Sequence, residues 1–277
     1  MKITAYLGPQ GTYSEEAAII FAGQVKKQCR LRPFPAIWDC AQAVADKTAC
    51  YAVIPLENSL AGSVHETMDI LMSDLKLSIL GELDLRIEHC LLSPAGNISD
   101  IRRVYSHPQA LAQCRGYLRN NLPGIAAVPV VSTAEAAAAA ASGGPQAAAI
   151  AGRAAAKAYG LRIVAAGIED APSTTRFIVL GKSKLPGCPV KTSLLFTVRN
   201  SAGSLYQVLG VFAAFQVNLT KIESRPARSR LGDYVFFVDL DGSAEDTAVK
   251  AALQEVGRKA VTLRLLGSYP VLGKSRA

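Results

Sequence analysis

The sequence predicts an α/β fold in two parts. In the first about 180 residues, short β-type runs alternate with helix-type stretches, which argues for largely parallel strands with helical crossovers. The remainder reads β, α, β, β, α, β, the pattern of a ferredoxin-like split βαβ module. Between them Lys182-Ser183-Lys184-Leu185-Pro186-Gly187-Cys188-Pro189 places two prolines and a glycine among lysines and reads as a linker. The expected division is a domain over 1–181, a linker over 182–190 and a second domain over 191–270.

Taken in order, residues 3–7, 52–55 and 147–150 are apolar runs of strand length, and 12–22, 64–74, 108–119, 133–142 and 152–159 read as helices. Residues 83–88 alternate apolar and polar side chains, so a half-exposed strand is expected there, after a helix ending near Lys76. The alanines from Ala134 to Ala141 have Ser132-Thr133 ahead as a cap and Ser142-Gly143-Gly144-Pro145 behind as a stop, which makes them one bounded helix rather than low complexity. Past the linker, strands are expected at 193–198, 219–224, 234–240 and 261–268, with helices at 204–215 and 245–258. Such a module covers one sheet face with its own helices, leaving an edge for a second copy or another domain.

Half of the 277 residues are apolar, enough for a sizeable core. No apolar run approaches the ~18–20 residues of a membrane span, and the first strand meets Gly8-Pro9 too early for a signal peptide, so a cytoplasmic protein without membrane contact is expected. Six scattered cysteines, none in a Cys-x-x-Cys pair, read as reduced thiols, and three histidines match no zinc spacing, so no metal is expected. The net charge of +8 is dispersed, with small clusters at Lys26-Lys27 and at Lys274 and Arg276; without interleaved aromatics it favours small anionic ligands over nucleic acid.

Four motifs stand at strand-to-helix or turn-to-strand mouths. Gly8-Pro9-Gln10-Gly11-Thr12-Tyr13-Ser14 follows the first strand; its helix-start amides and the Thr12 and Ser14 hydroxyls could seat a carboxylate, or Thr12 could simply cap. It is neither a Walker loop nor a dinucleotide fingerprint. Ile54-Pro55-Leu56-Glu57-Asn58-Ser59 sets three polar side chains after an apolar strand, more than a turn requires. Tyr105-Ser106-His107-Pro108-Gln109-Ala110-Leu111-Ala112-Gln113 opens a helix with Pro108 in its first turn, and Ser106 or His107 suits the cap. Ser173-Thr174-Thr175-Arg176 precedes the buried-strand run Phe177-Ile178-Val179-Leu180.

Together with Ile222-Glu223-Ser224-Arg225-Pro226, these motifs resemble prephenate dehydratase, and the resemblance covers nearly the whole chain. It implies a catalytic domain like the type II periplasmic binding proteins, with two α/β lobes around a cleft and chain crossings near 80 and 165, followed by a regulatory ACT domain. It implies a cofactor-free loss of carbon dioxide and water from prephenate, giving phenylpyruvate, with Thr175 essential and Glu57, Asn58, Ser106 and Gln113 beside it. Thr12, Ser14, Ser59, Arg176 and Phe177 are the expected substrate contacts. A threonine hydroxyl is a poor acid, so Thr175 is read as a hydrogen-bond donor to the departing hydroxyl, polarised by Arg176. Both can reach one substrate only if the strand begins after them, because adjacent strand residues face opposite ways.

By the same resemblance Gly203, Ser204, Leu205, Asn218, Leu219, Glu223, Ser224, Arg225 and Pro226 form an L-phenylalanine effector site between ACT domains paired in a homodimer or homotetramer. Ser173 stands where the family commonly has asparagine, and Ser204 where alanine is usual. Competing readings are an arogenate dehydratase and a sensor that kept the cleft without catalysis.

Overall fold

The computed structural model describes residues 2–25, 29–183, 185–227 and 232–274; Lys26, Lys27, Lys184 and Arg276 lie outside them. The first lobe comprises β1 (Lys2–Leu7), α1 (Tyr13–Gln24), β2 (Cys29–Phe34), α2 (Ile37–Ala45), β3 (Tyr51–Asn58), β4 (Gly62–Ser63), α3 (His65–Met72) and β5 (Ser78–Ile87). The second comprises β6 (Cys90–Ser93), β7 (Arg103–Ser106), α4 (Pro108–Gln113), α5 (Arg115–Asn121), β8 (Ala126–Pro129), α6 (Thr133–Ser142), β9 (Ala147–Ala151), α7 (Arg153–Tyr159) and β10 (Arg162–Ala166). The chain then returns as β11 (Ser173–Gly181), which lies antiparallel between β3 and β5.

The outward crossing falls at residues 88–89, not near 80. β5 stays in the first sheet to its end because it pairs with β11 from Ser78↔Gly181 to Ile87↔Ser173. The second sheet runs β10-β6-β9-β7-β8, with β7, β8 and β9 parallel. Ser132 caps α6 by accepting from Glu135 N at 3.0 Å, as its motif predicts. The helix expected over 108–119 is two helices broken at Cys114, where the Asp170 carboxylate accepts from Gly116 N (2.8 Å) and Tyr117 N (3.2 Å) and restarts the first turn.

The C-terminal module is β12 (Lys191–Thr197), α8 (Ser204–Ala214), β13 (Leu219–Pro226), β14 (Tyr234–Asp241), α9 (Thr247–Lys259) and β15 (Thr262–Tyr269), in sheet order β13-β14-β12-β15. One sheet face packs Leu194, Phe196, Val238 and Leu240 against Val208, Phe212 and Val256 of its helices. The other face is covered by the first lobe: Leu195, Phe237, Leu266 and Tyr269 share one core with Ile54, Leu56, Ile79 and Ile178. At Gly267 the approach is backbone to backbone, since a Cβ there would lie 2.1 Å from the Ile79 carbonyl oxygen. Residues 83–88 alternate as their pattern predicts, with Leu83, Leu85 and Ile87 buried, Asp84 and Glu88 half-buried and Arg86 exposed; under the cover of the module, Glu82 just before them is only 3% exposed. A final strand, β16 (Val271–Lys274), pairs parallel to β5 and completes the first sheet as β16-β5-β11-β3-β1-β2, with β4 attached to β3. The module is therefore tied to the first lobe at both of its ends. Among the described residues no helix is long and apolar enough to cross a membrane.

Candidate active site

Both lobes turn the carboxyl ends of their parallel strands toward the crossing. In the first lobe these are Leu7 of β1 and Asn58 of β3, with Ser173 of β11 beside Ile87; in the second they are Ser106 of β7 and Ala151 of β9. A crevice outside such ends is the usual ligand position in α/β sheets. The lobes touch beside it: Gly11, at φ +82°, lies so close to α7 that a Cβ would meet Ala155 Cα at 3.0 Å, and Tyr159 Oη donates to the Gln10 carbonyl at 3.3 Å.

Thr175 and Asn58 face one another across β11 and β3. Asn58 Nδ2 donates to Thr175 Oγ1 at 2.9 Å, and Asn58 Oδ1 accepts from Leu60 N and Ala61 N, both at 3.0 Å, which fixes the turn into β4. A β-bulge brings this pair about. The register reads Phe177↔Pro55, then Arg176↔Glu57 and Thr175↔Asn58, so Leu56 is an extra residue on β3. Without it the period-two alternation would leave Asn58 on the face opposite Thr175.

The bulge sends Glu57 the other way. β11 is already extended at Ser173, so Arg176 points away from Thr175, into the boundary with the C-terminal module. There Arg176 Nη1 binds Asp239 Oδ2 at 2.7 Å, with Glu57 Oε2 at 3.5 Å from Nη2 and Glu82 Oε2 at 4.0 Å from Nε. Glu57 Oε1 also lies 2.9 Å from Lys221 Nζ, and Glu82 Oε1 2.6 Å from Lys191 Nζ. The expectations that Arg176 polarises Thr175 and that Glu57 stands beside it are thus corrected by strand alternation and by the bulge. Burial pulls against the charge on Arg176, yet Asp239, Glu82 and Glu57 together hold its pKa above the ordinary value. Burial likewise pushes the carboxyls of Glu82 and Asp239 upward against the pull of these cations. Phe177 is 2% exposed and fills the core between the first sheet and α1, so it supports the strand rather than touching a ligand.

The remaining expected residues are distributed around the crevice. Thr12 is spent on structure: it caps α1 by accepting from Glu15 N at 3.2 Å and donates to Leu7 O and Pro9 O. Ser14 is buried in the first turn of α1. Ser59 extends the ladder, accepting from Thr174 N at 3.0 Å through Oγ while its own N–H donates to Thr174 O. Ser106 is fully buried at the end of β7 and donates to Ile150 O at 2.7 Å. Gln113 ends α4, and its Oε1 lies 2.9 Å from Nε2 of His89. The buried His89 carried no motif in the sequence; its only signal was a polar ring next to the apolar run Cys90-Leu91-Leu92. Burial lowers the pKa of its ring.

In the C-terminal module Gly203, at φ +82°, starts α8, and Ser204 Oγ meets Ser201 Oγ at 2.7 Å. The start of α8 and the end of β13 at Pro226 lie at the same end of the sheet, beside the Thr197↔Val235 pair. Asn218 and Leu219 lie at the opposite end, about 23 Å away along the strand, where Asn218 Nδ2 donates to Asp241 Oδ2 at 2.7 Å. Glu223 and Arg225 face the first lobe: Glu223 accepts from Ser63 Oγ, and Arg225 Nη2 lies 3.1 Å from Asp69 Oδ1. Leu205 packs on the module's core, while Ser224 and Pro226 are exposed.

The prephenate dehydratase family model matches residues 4–185, the whole bilobal part. The chain belongs to the prephenate dehydratase family. Its C-terminal module, over residues 192–258, matches the ACT domain. A bifunctional chorismate mutase/prephenate dehydratase of Aquifex aeolicus is 43% identical over 96% of this chain and 73% of that protein. The crystal structure of prephenate dehydratase in complex with L-Phe from Arthrobacter aurescens superposes with a TM-score of 0.88 at 34% identity, covering 99% of this chain and 92% of that one. A further solved structure, GqqA, described as a novel type of quorum-quenching acylase, gives a TM-score of 0.87 at 34% identity, with 98% of each chain covered.

Proposed function

We propose that this family member is a cofactor-independent carbon–oxygen lyase that converts prephenate to phenylpyruvate in the cytoplasm and is feedback-regulated by L-phenylalanine. The observation that carries the reading is the Asn58-to-Thr175 hydrogen bond at the mouth of the cleft. Because Asn58 fills a lone pair of Oγ1, the Thr175 proton is left for an acceptor in the crevice. The acceptor is the 4-hydroxyl of the substrate. As the ring carboxylate leaves as carbon dioxide, its bonding pair becomes a ring double bond and the C–O pair departs with the hydroxyl. Aromatisation drives the step, so no base is required. Thr175 stabilises negative charge developing on the leaving oxygen, and the donors around the crevice hold the dianion in line.

The ACT domain supports the feedback part. Gly203 and Ser204 stand at one end of its sheet and Asn218 and Leu219 at the other, too far apart for one small amino acid within a single chain. Two copies arranged head to tail would bring the two ends together, which favours a homodimer or a pair of such dimers. L-Phenylalanine then shifts the enzyme only as far as it binds one state better.

The test supplies the purified chain with prephenate, arogenate and an N-acylated amine, with and without L-phenylalanine. Phenylpyruvate formed from prephenate and suppressed by L-phenylalanine is the expected result. Turnover of arogenate alone, or acid release from the acylated amine alone, would replace this reading with that of the corresponding relative class.

A further inference from the structure

Gln113 is held from both chain crossings. Asp170 N, in the return crossing, donates to its main-chain carbonyl at 2.7 Å, and His89, in the outward crossing, meets its side-chain oxygen at 2.9 Å. His89 is itself fixed: its N–H donates to Glu169 Oε2 at 2.9 Å and its carbonyl accepts from Ile168 N at 3.0 Å. The second ring nitrogen, Nδ1, lies 3.0 Å from Tyr13 Oη in an edge-on ring contact. One imidazole, 3% exposed, thus spans from the first helix of one lobe to Gln113 of the other.

The ring's tautomer decides which end of the Gln113 amide faces the crevice. A neutral imidazole carries one N–H. With the proton on Nε2 it donates to Gln113 Oε1, the single Tyr13 O–H is shared between Nδ1 at 3.0 Å and the Glu88 carbonyl at 2.9 Å, and the amide NH2 is turned outward as a donor. With the proton on Nδ1, Tyr13 would accept it and send its own proton to the Glu88 carbonyl, 2.9 Å away. Nε2 would then need an N–H from Gln113, whose carbonyl oxygen would face an anionic substrate and repel it. We propose that His89 is a positioning residue, whose Nε2–H tautomer presents the Gln113 NH2 to the substrate's anionic group. This rests on the dehydratase reading.

Two measurements test it, one of them independent of turnover. The 15N spectrum of the histidine rings, with the His89 signals assigned by their loss in His89→Gln, should show a protonated Nε2 and a bare Nδ1. A proton on Nδ1 overturns the proposal, whether or not prephenate is turned over. In kinetics, His89→Phe and Gln113→Ala should each lower kcat/KM for prephenate roughly ten- to a hundredfold, and the double variant should match Gln113→Ala alone. Losses that multiply in the double variant would show that His89 acts independently of Gln113 and would also overturn it. His89→Gln, which keeps an N–H donor toward Gln113, should retain more activity than His89→Phe; the reverse order contradicts the assignment. If the wild type turns over no prephenate while the ring tautomer is as stated, it is the dehydratase reading that fails.

Discussion

Arg176 donates to Asp239 across the domain boundary at 2.7 Å, one residue along β11 from the Thr175 hydroxyl. Asp239 is fully buried, and its other oxygen accepts from Ser193 Oγ at 2.5 Å, so the ACT sheet is bonded directly to the back of the strand that carries the candidate donor. Removing Asp239 leaves the half-buried Arg176 only its longer contacts to Glu57 at 3.5 Å and Glu82 at 4.0 Å. Asp239→Ala should therefore cost about 3 kcal/mol in denaturant unfolding. Arg258→Ala, which breaks an exposed pair on α9, should leave the midpoint unchanged.

Asn58 has two tasks that substitution can separate. Asn58→Asp keeps an oxygen for Leu60 N and Ala61 N but removes the donor to Thr175 and offers a competing acceptor for its proton. It should lower kcat roughly a hundredfold with little change in thermal midpoint. Asn58→Ala loses the turn as well and should destabilise by about 1–2 kcal/mol besides.

Gly267 is where β15 crosses the β5 backbone. Gly267→Ala places a methyl against the Ile79 carbonyl, which no side-chain rotation relieves. A loss of about 1–3 kcal/mol is expected, together with a weakened response of activity to L-phenylalanine. Calorimetry and inhibition curves on the same variant check both.

The depressed pKa of His89 gives a pH dependence whose sign follows from linkage. Its folded value lies below the unfolded value of about 6.5, so between the two the unfolded chain binds more protons and stability falls with acidification. The contribution is intact above the unfolded value and is lost as pH drops toward the folded one, by at most about 1.4 kcal/mol per pH unit. Unfolding midpoints of the wild type from pH 7.5 to 5 should fall more steeply than those of His89→Gln.

Much of the fold was legible in local pattern. The βαββαβ order of the ACT domain and the Ser132 cap of α6 follow from alternation, turn residues and cap chemistry, which act over a few residues. What escaped depends on distant partners. β2 (Cys29–Phe34) carries Arg30, Arg32 and Pro33, tolerable because it is an edge strand, and β16 becomes a strand only by pairing with β5. The site divides in the same way. Asn58 and Thr175 were picked from their motifs, but the bulge at Leu56 that aims them is a property of the register with β11. That same bulge, invisible in the sequence, moves Glu57 to Lys221. The half-exposed reading of 83–88, by contrast, needs only local alternation, and Leu83, Leu85 and Ile87 are buried while Arg86 is exposed.

The central claim is that the Thr175 hydroxyl donates to the departing oxygen. Steady-state rates with prephenate for Thr175→Ala and Thr174→Ala, each shown folded by circular dichroism, test it most directly. Thr174 is exposed, and the strand alternation turns it away from Asn58. Thr175→Ala should lose at least a hundred- to a thousandfold in kcat, while Thr174→Ala stays within about twofold. A folded Thr175→Ala with near wild-type kcat, or a larger loss at Thr174, would contradict it.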